Sequence, residues 1–391
     1  MRTIDVPTIP DAEFSKRVQA AQQLIRERNL DVLLLNSNEA DFSNVRYFSD
    51  FWPLFEIAGV AIPAQGEPAL LVGPESDRFA ADRGRMPKIY RMHEYRESAD
   101  PECPGMQFAT FQDVFGDLGM TNPKRIGIGG YLVTTPPVLN GLAEAFPEAA
   151  IERADDIMVT LRSIKSESEL VCLRKGFEIS EKAVQSVIDQ IKPGMTELQV
   201  VGLAQQSMYE HGAEYEAHPA YVLSGASSAH AISRPSHKII EKGELVQLNI
   251  GARVSGYSPS VGVPICMGKA TPRMRELLEF GLEAHEKTIE WMQAGTAACE
   301  VARKYRELFE QGGYGENFLY GPCHGLGMIE VEPPWMEENS DYPLAENMTF
   351  QVDTFVMDQK FGLRWEHGAC IKQGRPELMG ANYLEVIELD V

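Results

Sequence analysis

The chain has 391 residues, 44% of them hydrophobic, enough to bury a substantial core and to make two domains, or one large and one small. A formal net charge of −21 makes the surface strongly negative, which excludes nucleic acid and anionic membranes as favoured partners because both are repelled within a Debye length. A small neutral, zwitterionic or cationic ligand is the partner this charge admits.

In chain order, "DAEFSKRVQAAQQLIRERNL" spaces its apolar residues as a helix does, and "DVLLLNS" follows as the continuous apolar run of a buried strand. "GVAIPAQGEPALLVGP" reads as a hairpin around Gln65-Gly66, and "KRIGIGG" as a further strand. The glycines of "GIGGY" lack G-x-G-x-x-G spacing and read as a turn rather than a phosphate loop. Residues 1–158 are thus expected to form an α/β domain.

The remainder, 159–391, opens on a long amphipathic helix whose first turn, Ser166-Glu167-Ser168-Glu169, puts acids where the helix dipole favours them. Pro193-Gly194 then breaks the chain, Thr196 caps a second helix, and short strands, a helix pair at about 272–313 and final strands follow. Within them "QLNIGARVSGYSPSVGVPI" reads as a hairpin. The acidic "MEENSDY" is a solvated loop.

Six cysteines without C-x-x-C spacing signal neither a zinc site nor a disulfide framework, and a reducing cytoplasm is the expected compartment. "MRTIDVPTIPDAEFSKRV" has no apolar core of signal-peptide length, and no segment has the ~18 consecutive apolar residues of a membrane span.

Motifs in a fixed order carry a resemblance. "LRSIKSESELVCLRKGFEISEKA", "IKPGMTELQV", "LSGASSAH", "EKGELVQLNIGARVSGY", "CHGLG" and "FGLRWEHGACIKQG" resemble, in order and interval, the pita-bread family that includes creatinase, prolidase, aminopeptidase P and methionine aminopeptidase. "NVRYFSDF" resembles a phrase of the creatinase and prolidase N-terminal domain. The fold implied is an α/β N-terminal creatinase-type domain followed by an α+β pita-bread C-terminal domain.

Metallopeptidases of this family hold two divalent ions with two Asp, one His and two Glu. Carried over by resemblance, those positions fall on Asn249, Ser260, His324, Asp353 and Glu366, of which only His324 and Glu366 are unchanged. Losing two anionic ligands undercuts a pair of dications by direct Coulomb reasoning. The expectation is therefore no stoichiometric metal, with a single ion on Asn249, His324, Asp353 and Glu366 as the alternative.

Creatinase, the family's metal-free precedent, also resembles this chain at Asn249 and at Glu366-His367. Its catalytic histidine corresponds to His230, with His237 in reserve because the register is two residues off. The expected catalytic set is His230, His324, Asp353 and Glu366, with His230 doing general acid–base work that survives chelation. The plainer reading of His230 is a histidine satisfying a turn carbonyl.

The chain also departs from creatinase: the second catalytic histidine is Val331, and the carboxylate-binding arginines give way to Glu56 and Trp335. An anion and aromatics favour a cationic group, which makes Asn249, Ser260, Glu56, Trp335, Trp365 and His367 the expected substrate contacts. Trp335 equally reads as a loop anchor against its own prolines.

The leading expectation is a metal-independent, creatinase-like hydrolase or lyase cleaving a C–N bond in a small, cationic or zwitterionic nitrogen compound. A mononuclear, metal-dependent Xaa-Pro dipeptidase-like hydrolase and a non-catalytic binding protein are the alternatives. A homodimer is expected from the resemblance and from the aromatic, weakly charged "YFSDFWPLF".

Overall fold

The computed structural model describes residues 6–391; residues 1–5, where the N-terminal domain and the segment read for a leader begin, lie outside the described residues. The chain divides into two compact units, Ile9–Arg162 and Ser163–Val391, the latter joined by residues 6–8. The break falls four residues beyond the expected 158/159 boundary, at the end of the helix Asp155–Ser163.

In the N-terminal unit, helix α1 (Asp11–Glu27) precedes strand β1 (Val32–Ser37), the buried "VLLLNS" run. Strands β2 (Ala58–Pro63) and β3 (Ala69–Val72) make the expected antiparallel hairpin, turning at Gly66 with φ of 103°. Strands β4 (Lys88–Arg91), β5 (Arg125–Gly129) and β6 (Ala150–Arg153) complete a six-stranded mixed sheet of order β4-β3-β2-β1-β5-β6. Short helices α2 (Ser43–Ser49), α3 (Asp77–Arg83), α4 (Phe111–Asp117), α5 (Pro136–Ala145) and α6 (Asp155–Ser163) alternate with its strands.

The C-terminal unit opens with α7 (Glu167–Gln190) and α8 (Glu197–Glu210). Both carry full capping boxes: Ser166 with Glu169, and Thr196 with Gln199, each side chain satisfying the other residue's backbone N–H. The strands are β7 (Tyr215–Glu216), β8 (Tyr221–Ser224), β9 (Leu245–Arg253), β10 (Ser260–Cys266), β11 (Cys323–Gly325), β12 (Glu332–Met336), β13 (Thr349–Met357), β14 (Gly362–Cys370), β15 (Glu377–Met379) and β16 (Ile387–Glu388). The sheet runs β12-β11-β13-β14-β10-β9-β7, with β8 on β9, β15 on β14 and β16 on β10. This is the pita-bread sheet.

Between β10 and β11 come α9 (Pro272–Trp291) and α10 (Ala298–Gln311), the expected helix pair. Helix α9 lies against β13 and β14. It comes close because Gly281 has no Cβ: one there would sit 3.2 Å from Trp365 Cδ1. Trp365 is fully buried among Leu277, Leu278, Phe309 and Leu363, its Nε1 donating to the Leu278 carbonyl at 3.3 Å.

That burial corrects one expectation. Successive residues of a strand point to opposite faces, so Trp365 and His367 turn toward the helices while Arg364 and Glu366 turn the other way. His367 is equally buried, its Nδ1 3.1 Å from His285 Nε2, and burial holds its pKa well below the usual histidine range. Neither residue can meet a substrate on the opposite face.

Candidate active site

One rung of the sheet gathers most of the site. Asn249 of β9 pairs with Gly262 of β10, Gly262 with Glu366 of β14, and Glu366 with Asp353 of β13. Directly opposed residues share a face, so the three side chains emerge together, joined by Ser260 and Arg364 two residues along their strands. His324 enters from β11, opposite Gln351 of β13.

Gly262 makes the rung narrow. A Cβ there would lie 2.5 Å from Glu366 Cβ and 2.9 Å from Asn249 Nδ2, so only glycine lets these two side chains meet across it. Asn249 Nδ2 donates to Glu366 Oε2, and Ser260 Oγ donates to Glu366 Oε1 at 2.9 Å. Asn249 Oδ1 is taken as well, accepting from Gln247 Nε2 at 2.8 Å.

A residue that the sequence reading missed completes the cluster. Glu330, 8% exposed in the turn between β11 and β12, places Oε1 3.4 Å from Ser260 Oγ and 3.8 Å from His324 Nε2. Its turn is rigidly held: Ser258 donates its backbone N–H to Gly327 O at 2.8 Å and its hydroxyl to Met328 O at 2.7 Å. Next to it, the buried pair Lys165–Glu332 closes at 3.2 Å. The available signal was an acid beside Val331, in a turn otherwise close to the family pattern.

Arg364, also missed, organises the other half. Its Nε stands 2.9 Å from Asp353 Oδ1, and Nη2 donates to Tyr320 Oη at 2.7 Å and to Ala231 O at 2.9 Å. The guanidinium thus ties Asp353 to the pocket wall. Its place two residues before Glu366, on the same face, was the signal in the sequence.

A cavity of about 350 Å³ opens over this floor, walled by Tyr221, Ile232, Tyr320, Val331 and Trp335. Trp335, half exposed, tilts over the His324 ring with centroids 5.6 Å apart. Burial raises the carboxyl of Asp353 against the opposing pull of Arg364. Burial and then the neighbouring Glu330 charge push Glu366 up to about 7, and burial likewise raises Glu330.

The wall containing Ile232 belongs to a loop pinned at both feet by one buried carboxylate. Glu197 accepts from Ser224 N and Oγ at 2.8 Å, Ser227 Oγ at 2.9 Å, and Ser236 N and Oγ at 2.9 Å. His230 sits on this loop but is exposed, its Nδ1 3.3 Å from Ser233 Oγ, and it does not line the cavity. His237 is exposed as well. Ala231 and Ile232, next to His230, border the cavity instead, Ile232 at the solvent-exposed rim.

Glu56 is used within the N-terminal unit, where its carboxylate accepts from Glu75 N at 3.0 Å and from the Ser76 hydroxyl. Thus His324, Asp353, Glu366 and Trp335 line one pocket, while Asn249 and Ser260 are buried and reach it only through their hydrogen bonds to Glu366. His230, His237, Trp365 and His367 do not, and Glu56 is bound up in its own unit.

The two-ion ligand set of the resembled metallopeptidases does not fit this floor. Asn249 and Ser260 are neutral and already hydrogen-bonded, and Asp353 is paired with Arg364. Donor atoms of His324, Glu330 and Glu366 do lie within 4.8 Å of one another, all three residues buried. One nitrogen and two carboxylates are a donor set for a single divalent ion.

Residues 171–373 match the model of metallopeptidase family M24, and residues 17–164 that of the creatinase/prolidase N-terminal domain. The Xaa-Pro dipeptidase of Pyrococcus furiosus is 27% identical over 349 residues, 89% of this chain and 92% of that protein. The X-Pro aminopeptidase of Thermotoga maritima superposes with a TM-score of 0.81 at 26% identity, over 95% of this chain and 99% of that one. The prolidase of Pyrococcus horikoshii OT3 shares the fold, with a TM-score of 0.80 at 23% identity over 96% and 100% of the two chains. These relatives overturn the metal-independent, creatinase-like reading and the binding-protein alternative, and favour the metallopeptidase-like one.

Proposed function

Because the chain belongs to metallopeptidase family M24, we propose that this hydrolase cleaves the C–N amide bond of small substrates of the Xaa-Pro dipeptide kind with the help of a divalent ion. The observation that carries the reading is the meeting of His324, Glu330 and Glu366 at the floor of a small cavity. A bound ion would polarise the scissile carbonyl and make water acidic enough to attack near neutral pH.

The chain's own side chains supply the rest. Asn249 and Ser260 fix both oxygens of Glu366. Asp353 remains outside the donor cluster, held beside Tyr320 by Arg364, and is the carboxylate placed to carry a proton from water toward the leaving nitrogen. Val331, Ile232 and Trp335 give the cavity an apolar rim around this floor, where a bound substrate would displace water and strengthen the charge interactions below it.

The test is proline release from Ala-Pro, Leu-Pro and Met-Pro by chelated protein reloaded with Mn²⁺, Co²⁺ or Zn²⁺. Turnover that disappears with chelator and returns with ion supports the reading; no proline from any dipeptide with any ion refutes it. A homodimer is part of the proposal, supported by Leu54 and Phe55, 51% and 74% exposed on the aromatic segment, and sedimentation at micromolar concentration tests it. Six unbridged cysteines support a reducing, cytoplasmic setting.

A further inference from the structure

The family arrangement has been altered in a compensated way. Two carboxylates are absent where Asn249 and Ser260 stand, and one acid outside that set, Glu330, reaches from the wall turn to the place that Ser260 leaves open, its Oε1 3.4 Å from the serine hydroxyl. The turn carrying it is built for position, with Ser258 bonded to two of its carbonyls and Lys165–Glu332 buried at its base.

His324 supplies an independent indication of what belongs there. Its Nδ1 lies 3.0 Å from the Gly325 carbonyl, which can only accept, so in the neutral ring Nδ1 carries the proton and Nε2 presents a lone pair. His324 is 5% exposed, and Nε2 faces Glu330 Oε1 at 3.8 Å, beyond hydrogen-bond reach. Nε2 thus faces two buried carboxylates, Glu330 and Glu366, whose neutral donors are Ser260 and Asn249. Arg364, the cation on this floor, is committed to Asp353, Tyr320 and Ala231. A divalent ion among His324, Glu330 and Glu366 would take the Nε2 lone pair and balance the two carboxylates, whose ligand atoms lie within 4.8 Å of one another and of the ring.

We infer that this chain binds one divalent ion, not two, through His324, Glu330 and Glu366, with Glu330 as a replacement ligand and Asp353 outside the coordination sphere. The site deepens the hydrolase reading and rests on it for its role, but not for its existence. One imidazole and two carboxylates suit Mn²⁺, Fe²⁺, Co²⁺ or Zn²⁺, and three protein ligands leave positions for water and substrate.

The experiment is titration calorimetry of chelated protein with MnCl₂ and ZnCl₂, with metal analysis of the reloaded protein and electron paramagnetic resonance of the Mn²⁺ form. The expected result is one ion per chain with an uncoupled Mn²⁺ spectrum. Affinity should fall 100-fold or more in Glu330→Gln and stay within about 5-fold of the wild type in Asp353→Asn, as expected for loss and retention of a ligand. Circular dichroism checks folding, and the near-isosteric Glu330→Met stands in if Glu330→Gln fails to fold. Two ions per chain, a spin-coupled spectrum, unchanged affinity in Glu330→Gln, or no binding by the wild type overturns the inference. Proline release is scored separately: one ion bound without dipeptide turnover refutes the substrate reading and upholds the site, whereas turnover with two ions does the reverse.

Discussion

Replacing Glu366 by Gln in metal-free protein should stabilise it at alkaline pH and leave it unchanged in acid. A carboxyl whose folded pKa lies above its unfolded value contributes stability that is complete below the unfolded value and lost as pH rises through the folded one. For Glu366 those limits are 4.5 and about 7. At 1.36 kcal/mol per tenfold, ionising this buried group costs the fold about 3 kcal/mol by pH 8. Gln avoids that cost, and its amide can keep both neighbours, accepting from Asn249 Nδ2 while Ser260 Oγ turns to accept. For a unit the size of Ser163–Val391, about 3 kcal/mol corresponds to roughly 6–12 °C in melting temperature. Thermal melts of chelated wild type and variant from pH 5 to 8 read the difference, in which the titrations common to both cancel. Mn²⁺ at pH 8 should then raise the wild type alone. Parallel curves for the two proteins would refute the assignment of a strained, buried carboxylate pair.

His230→Ala is expected to keep kcat/KM within about 2-fold, because the ring is exposed, faces Ser233 Oγ and does not line the cavity; a loss of 100-fold, the usual scale for removing a general acid–base, would restore it to the mechanism. Glu197→Ala leaves the donors of Ser224, Ser227 and Ser236 unmatched, and should cost about 3 kcal/mol in urea unfolding while raising KM through a loosened Ile232 wall. Arg364→Met strands Asp353 and should destabilise by about 3–5 kcal/mol, measured the same way, with activity lost in the folded fraction. Trp365→Ala, a core truncation, should cost about 3–5 kcal/mol and, in whatever folds, spare the metal affinity measured by calorimetry.

Periodicity, caps and motif order were legible because each is local: the Gln65-Gly66 hairpin, the capping residues Ser166 and Thr196, and the β9–β10 hairpin all stand where their residues indicated. So was the strand-borne part of the site, since motif order placed Asn249, Ser260, His324, Asp353 and Glu366 on neighbouring strands. What failed was direction. Reading Glu366-His367 as one phrase ignored the pleat, which sends the second residue and Trp365 into the helix-packed core. Glu330 and Arg364 were overlooked for the opposite reason: neither stands at a position of the resembled ligand set, and their importance arises only when a turn and a strand face each other across the cavity. His230 sits on the right loop, but which side chains of an irregular loop turn inward is decided by distant anchors such as Glu197 and Arg364.

Gly262 separates what can be edited in this centre from what cannot. The spacing between the side chains of residues 249 and 366 is set by main chain, through a missing methyl group, and not by the chemistry of either side chain. Donors around that gap can therefore be exchanged, acid for amide or hydroxyl, without altering the dimensions of the site. A methyl group at residue 262 would change the dimensions while leaving every donor in place. Ligand inventory and bore are thus independent variables, and a redesign that returns acids to residues 249 and 260 begins from a frame already cut to size.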